Sequence, residues 1–289
     1  MTNAQPLVSV IMPFLNAGAG FRAALQSIQW QTYANWELLL CDDGSSDGSY
    51  ELAASLDDPR MQVWSDGRRK GLAARLNECL DRTQGELIAR MDADDISFPH
   101  RLARQVEFLL EHPEVDVAGC SMLIFGEDGA PLGKRTAPVE HEQIVRNPAM
   151  GFGLAHPTWM ARTAWYGRHR YDPLALRYED AELLYRAYPG SRFANLPEAL
   201  YGYREMRHGF AKRLRTRVGR IRYLRAHQAT HGAGLVLRAA LAESVKTATD
   251  ALVSATGARY ALLRLREQEL SDVDRRAWTR MMGEGMVLA

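Results

Sequence analysis

The stretch Glu86 to Leu102, ELIARMDADDISFPHRL, decides how this chain is read. An apolar run of strand character ends at Met91, three carboxylates follow within four residues (Asp92, Asp94 and Asp95), and Pro99 then opens a helical pattern. Two carboxylates about 5 Å apart repel by roughly 3 kcal/mol at an effective dielectric of about 20. Water, a shared proton, a neighbouring Arg or Lys, or a divalent cation taking hard oxygen ligands can offset that repulsion. Taken alone, the stretch fits a solvated turn that caps the next helix as well as it fits a site.

Working outward, LVSVIMPFL ends at Pro13 and Phe14 and WELLLCDDGSSDGS ends in Asp42, Asp43 and a glycine turn; both read as strands buried on two faces. Phe21, Leu25 and Ile28 between them recur at helical spacing, which makes a βαβ unit. Leu72, Leu76 and Leu80 form a second stripe leading into ELIARM. A helix from about Pro99 to Glu111 is expected to bury Leu102, Val106, Leu109 and Leu110, and EVDVAGCSMLIF reads as a further strand. GLAHPTWMAR has strand character, and Leu176, Leu183, Leu184 and Ala187 set a helical pattern in LALRYEDAELLYRAY. The alternation predicts an α/β/α sandwich around a mixed, mostly parallel sheet. GEDGAPLGKRTAPVEHEQIVRNP reads as an exposed loop.

The sequence has 289 residues, 46% of them apolar, enough for one sizeable core and an appendage. Its 36 Lys and Arg against 35 Asp and Glu leave a net charge of +1, which gives no general case for nucleic-acid binding. Cys41, Cys79 and Cys120 are widely spaced in apolar surroundings and read as reduced, buried thiols of a cytoplasmic protein. The N-terminus lacks a basic region before its short apolar run, and no apolar stretch reaches the roughly 18 residues of a membrane span.

Two of the expected strands end in clustered Asp. Ligands of open parallel sheets bind beyond the carboxyl ends of the strands, so Asp42, Asp43, Asp92 and Asp94 are expected to converge. A nucleoside diphosphate suits such a pair of clusters: a cation neutralises phosphate at the later one, while an earlier Asp accepts hydrogen bonds from base or ribose.

In order, VSVIMPFLN, ELLLCDDGSSDGS, GLAARLNECLDRTQGELIARMDADD, FPHRLARQ, HPTWM and RYEDAELLYR resemble the family 2 glycosyltransferases of GT-A fold, over roughly residues 7 to 203. The resemblance implies an inverting glycosyltransferase with a nucleotide-diphosphate sugar as donor, a UDP-sugar by default. It implies that Asp92-Ala93-Asp94 is the D-x-D signature, with Mn²⁺ or Mg²⁺ on Asp94 and Asp92 near the ribose or sugar; Asp95 is the substitute ligand. It implies that Asp43 recognises the base and that Pro13 and Phe14 line the same pocket; Arg75, or one of Arg68, Arg69 and Lys70, either approaches phosphate or base or is a surface charge. Asp180, second acid of the Glu179-Asp180 pair, takes the role of general base, which removes the proton of an acceptor hydroxyl during a single displacement. His156 is expected to be structural, and Trp159 and Trp165 either wall the acceptor side or pack in the core. The family commonly builds bacterial surface polysaccharides, so a growing or lipid-linked envelope glycan is the expected acceptor.

The pattern changes near Tyr203, giving an expected glycosyltransferase domain over 1–203 and a helical extension over 204–289. From Arg204 to Arg225 nine basic residues face one acid, interleaved with Phe210, Leu214, Val218, Ile221 and Leu224. This reads as a basic amphipathic helix that lies on the cytoplasmic face of an anionic inner membrane, or else packs on the main domain or on a second copy in a homodimer. Two rival functions remain. MDADDI also approximates the nucleophile motif of haloacid-dehalogenase phosphotransferases, with Asp92 phosphorylated, but Ile96 departs from that motif. A non-catalytic nucleotide-sugar-binding protein would share the fold.

Overall fold

The computed structural model describes residues 5–206, 210–226, 228–256 and 268–283. Strands β1 (Val8–Ile11), β2 (Trp36–Asp42), β3 (Met61–Ser65), β4 (Leu87–Arg90), β5 (Ile96–Ser97), β6 (Val117–Phe125), β7 (Pro131–Arg135), β8 (Met160–Arg162) and β9 (Phe193–Arg204) form one sheet. Its order is β3-β2-β1-β4-β8-β6-β9-β5, with β7 also on β6. β1, β2, β3, β4, β6 and β9 point the same way, while β5, β7 and β8 run against them. The sheet is therefore mixed and mostly parallel, as expected.

β1, β2 and β4 are buried along their whole length, because helices cover both faces and every second residue serves a different core. Val8, Val10, Leu38 and Leu40 pack with Phe21, Leu25 and Ile28 of α1 (Phe21–Gln29) and with Leu102, Val106 and Leu109 of α4 (Arg101–Glu111). Ile11, Leu39 and Cys41 point the other way, into Leu76 and Leu80 of α3 (Leu72–Leu80) and Leu183 and Leu184 of α7 (Glu179–Ala187). The remaining helices before β9 are short: α2 (Ser49–Ala54), α5 (His141–Ile144) and α6 (Thr163–Arg168).

Several expectations are corrected. Leu110 is 59% exposed and Leu176 69% exposed, so neither belongs to a buried stripe; Leu176 precedes α7 rather than lying on it. His156 to Thr158 form a 3-10 turn, and strand geometry begins only at Met160. Trp159 and Trp165 are fully buried and face the core, not an acceptor. The segment read as a loop contains β7 and α5, because edge pairing of Met122 with Arg135 gives a polar stretch a place in the sheet. The three cysteines are free and buried.

After β9 come α8 (Phe210–Ala226), α9 (Gln228–His231), α10 (Ala233–Thr256) and α11 (Asp272–Gly283). The expected amphipathic stripe on α8 does not hold. Leu224 is buried, but Leu214 and Val218 are each 36% exposed, while Arg217 and Arg220 turn inward to Glu243 of α10 at 3.3 and 2.5 Å. Arg220 also donates to the Tyr185 hydroxyl at 2.7 Å, which ties α8 to α7. Arg207 lies outside the described residues, as do the side chains of Phe210, Lys212 and Arg213. Residues 257–267 of the expected tail helices also lie outside them. Trp278 of α11 packs on Phe125 and Phe98, so the C-terminal helices bear directly on the sheet. Among the described residues no helix is long and apolar enough to cross a membrane.

Candidate active site

The register of the parallel strands sets the site. Ile11 pairs with Leu39 and Arg90, so β1, β2 and β4 end side by side, and the turns that follow them carry Pro13 and Phe14, Asp42 and Asp43, and Asp92 to Asp95. Phe14 bridges to Asp42 across the strand ends, and its N–H donates to the Cys41 carbonyl at 2.9 Å. Two adjoining clefts share Pro13, Phe14 and Leu15 as a common wall. One, of about 360 Å³, is lined by Asp43, Arg69, Gly71, Arg177 and Glu179. The other, of about 490 Å³, is lined by Gly18 to Gly20, Asp92, Asp94, Glu127 and Arg204. Of the four acids expected to converge, Asp43 lines the first cleft and Asp92 and Asp94 the second, while Asp42 lines neither.

The two acids after β2 do different work. Asp42 closes its own turn: it accepts from Ser45 N–H at 2.9 Å, Gly44 N–H at 3.2 Å and the Ser65 hydroxyl at 2.7 Å. Burial pushes its carboxyl up, but these bonds outweigh burial and hold it below the usual range. Asp43 accepts instead from the backbone N–H groups of Lys70 (2.6 Å) and Gly71 (3.1 Å) and from Arg75 Nε (3.0 Å). Gly71 reaches this carboxylate at φ 89°, a left-handed conformation that glycine adopts without strain.

Arg75 is neither a surface charge nor an open phosphate ligand, which corrects the role expected for it. It is fully buried, and besides Asp43 its guanidinium donates to Glu78 at 2.7 Å, to Asp66 at 2.6 Å and to the Arg68 carbonyl. Arg75 shapes the 66–71 loop around Asp43 and acts on the cleft through it.

The three acids after β4 also separate. Asp92 pairs with Arg90 at 2.5 Å, and its backbone N–H donates to the Tyr201 hydroxyl at 3.1 Å. Asp94 lines the larger cleft; its carboxylate takes no side-chain hydrogen bond among the described residues and is raised in pKa by burial and by the charge of Asp92. Asp95 turns into the protein, 1% exposed, where Oδ1 accepts the Arg204 N–H at 2.7 Å and Oδ2 has no partner. Burial, with Asp92 and Asp94 nearby, pushes its carboxyl well up. Asp95 is a backbone anchor, and the substitute-ligand role expected for it is withdrawn.

Among the described residues no three His, Cys, Asp or Glu side chains form a ready cage for a metal. Two hard carboxylates at an open cleft, one of them without a side-chain partner among the described residues, fit an ion of the Mg²⁺ or Mn²⁺ kind that would complete its shell with water and substrate phosphate. The donor set would be Asp94 with Asp92.

Glu179 and Asp180 open α7. Glu179 is 8% exposed and lines the Asp43 cleft; burial and the adjacent Asp180 push its carboxyl up to about 7. Asp180 is half-buried and raised by burial, an effect that the Ala181 backbone bond and the charge of Arg90 oppose. His156 is buried, bonded to the Tyr171 hydroxyl at 2.8 Å, and held well below its usual pKa by burial and Arg90; it is structural, as expected. Arg90, Tyr201 and Arg204 were not singled out for the site from sequence. A basic residue inside the apolar run before Asp92 was the available signal for Arg90. Arg204 was counted with the basic helix, though it ends β9 beside Asp94.

The mixed sheet, with carboxylates gathered beyond its parallel strand ends around two clefts, has the GT-A architecture. The model of glycosyl transferase family 2 matches residues 9–165. EpsE of Bacillus subtilis, a chain assigned to the glycosyltransferases, is 40% identical over 218 residues, covering 73% of this chain and 77% of EpsE. UDP-Glc:alpha-D-GlcNAc-diphosphoundecaprenol beta-1,3-glucosyltransferase WfgD of Escherichia coli is 34% identical over 147 residues, covering 50% of this chain and 57% of WfgD. Among solved structures, S. aureus TarS in complex with UDP-GlcNAc superposes with a TM-score of 0.60 at 20% identity, covering 96% of this chain and 80% of that one. Mannosyltransferase PcManGT of Pyrobaculum calidifontis, in complex with GDP-Man and Mn²⁺, gives 0.58 at 20% identity, covering 99% and 86%. These likenesses show the fold. The chain belongs to glycosyl transferase family 2 and is a glycosyltransferase. Family membership displaces the phosphotransferase alternative built on Asp92.

Proposed function

We propose that the base and ribose of a nucleoside-diphosphate sugar occupy the cleft at Asp43, Pro13 and Phe14, and that its diphosphate reaches the cleft of Asp92 and Asp94. The observation that carries this reading is the meeting of the two acidic strand ends at the shared wall of Phe14. Asp94, with Asp92, would hold Mn²⁺ or Mg²⁺, which supplies positive charge to the diphosphate oxygens. Asp180 takes the proton of the acceptor hydroxyl while that oxygen attacks the anomeric carbon and the bond to the diphosphate breaks, a single displacement with inversion. Burial raises the basicity of Asp180, as it does that of Glu179, and so makes the carboxylate a better proton acceptor. Arg90, close to both acid pairs, keeps them from excluding each other's charge.

The acceptor in this reading is a growing or lipid-linked envelope glycan. WfgD, by its name, acts on a diphosphoundecaprenol-linked sugar, which supports that class. Peripheral attachment to an anionic membrane is part of the same reading; the support is the set of exposed arginines Arg222 and Arg225 on α8. A donor screen with UDP-glucose, UDP-GlcNAc and GDP-mannose tests the proposal. Metal-dependent release of one nucleoside diphosphate is expected; turnover unchanged by chelation, or phosphate release from simple phosphoesters, would contradict it.

A further inference from the structure

Among its described lining residues, the Asp92 and Asp94 cleft has one cation, Arg204. The fold holds this side chain by its backbone and by two of its three guanidinium nitrogens. Its backbone N–H is fixed by Asp95, Nε donates to the Asp94 carbonyl at 2.8 Å, and Nη1 donates to the Glu127 carbonyl at 3.3 Å. The guanidinium carbon lies 4.8 Å from the centre of the Phe125 ring. The residue is 9% exposed, and Nη2, itself buried, has no hydrogen-bond partner among the described residues. Nη2 lies against Gly20 on the same cleft wall: a Cβ at Gly20 would stand 2.9 Å from it. A buried guanidinium nitrogen without an acceptor is costly, and a small shift of the side chain into the cleft it lines would give that nitrogen a phosphate oxygen to pair with.

We propose that Arg204 binds the diphosphate of the donor and stabilises the charge that gathers on the departing nucleoside diphosphate. The proposal rests on the nucleotide-sugar reading above. When the bond from the anomeric carbon to the β-phosphate oxygen breaks, its electron pair stays on that oxygen, and the leaving group carries more negative charge than one divalent cation neutralises. Arg204 answers that excess by hydrogen bonding, with no proton transferred from it. Its tie to the Asp94 carbonyl sets it beside the carboxylate that would hold the ion, so cation and guanidinium address the same group. Asp95 gains a purpose as well: a buried acid fixes the residue that carries the arginine.

Calorimetry on the full chain with UDP, UMP and uridine in Mn²⁺, repeated with GDP, GMP and guanosine, tests this. Arg204→Met is expected to weaken diphosphate binding by about ten- to hundredfold and to lower kcat, with nucleoside binding unchanged. Gly20→Ala retains the charge and suits the helical backbone at φ −72°, but crowds Nη2; it is expected to weaken diphosphate binding while cooperative melting is retained. If both variants bind diphosphate like the unaltered chain, Arg204 serves only to balance buried acids and the proposal is overturned. If the unaltered chain itself binds neither diphosphate, the nucleotide-sugar reading falls and this proposal with it.

Discussion

Asp92, Asp94 and Asp95 share one turn but meet three environments, and the differences assign their roles. An acid with a salt bridge has its charge matched, an acid turned inward with one unpartnered oxygen favours its protonated form, and an acid left open beside another seeks a cation. Asp94→Asn is therefore expected to abolish the effect of Mn²⁺ on nucleotide affinity, while Asp95→Asn changes that effect by less than about threefold; titration of the two variants checks this. At α7, Asp180→Asn should lower kcat by about 10²- to 10⁴-fold with donor affinity retained, and Glu179→Gln by much less. The reverse ranking in steady-state kinetics would make Glu179 the base. Glu179 also links pH to stability. Its folded-state carboxyl sits near 7 against an ordinary 4.5, so the native state holds the extra proton and stability falls as pH rises from about 4.5 to 7. Melting curves at pH 5 and pH 8 should show a smaller drop for Glu179→Gln than for the unaltered chain.

At the scale of elements, periodicity made the parallel half of the sheet readable. Val8, Val10, Leu38 and Leu40 alternate with Ile11, Leu39 and Cys41 between two cores, and α1, α3 and α4 repeat their apolar residues every three or four positions. β7 and α5 escaped because their polar sequences depend on pairing with β6 and contact with β9, which local composition does not encode. Asp43, Asp92 and Asp94 stood out in the sequence because two separate expected strands end in clustered Asp, although Asp42 and Asp95 of the same clusters turn out to be structural. Asp95 and Arg75 were misjudged, since sequence does not reveal which way a side chain turns. The same limit explains α8, whose inward arginines share Glu243 with Lys246 at 3.1 Å. Glu243 is 3% exposed, so Glu243→Ala leaves Arg220 buried and uncompensated, and is expected to cost about 3–5 kcal/mol, read as a lower melting temperature. Glu243→Gln should recover part of that loss through the remaining hydrogen bonds.

Across the whole molecule, the sheet brings distant strand ends to one rim, and the later chain completes it. β9 delivers Tyr201 and Arg204 to the acids after β4, and α11 closes on the far end of β6 through Trp278, whose indole N–H donates to the Gly129 carbonyl at 3.0 Å. The Asp92 and Asp94 cleft is thus assembled from residues nearly two hundred positions apart, from Pro13 to Arg204. The central claim is that its open carboxylates serve to hold a divalent ion against a diphosphate. Isothermal titration of UDP and GDP into chelator-treated protein, before and after Mn²⁺ is restored, tests it directly. At least a tenfold gain in affinity for one nucleotide on restoring Mn²⁺, about 1.4 kcal/mol, is the expected result. Equal affinity with and without the ion would contradict the account.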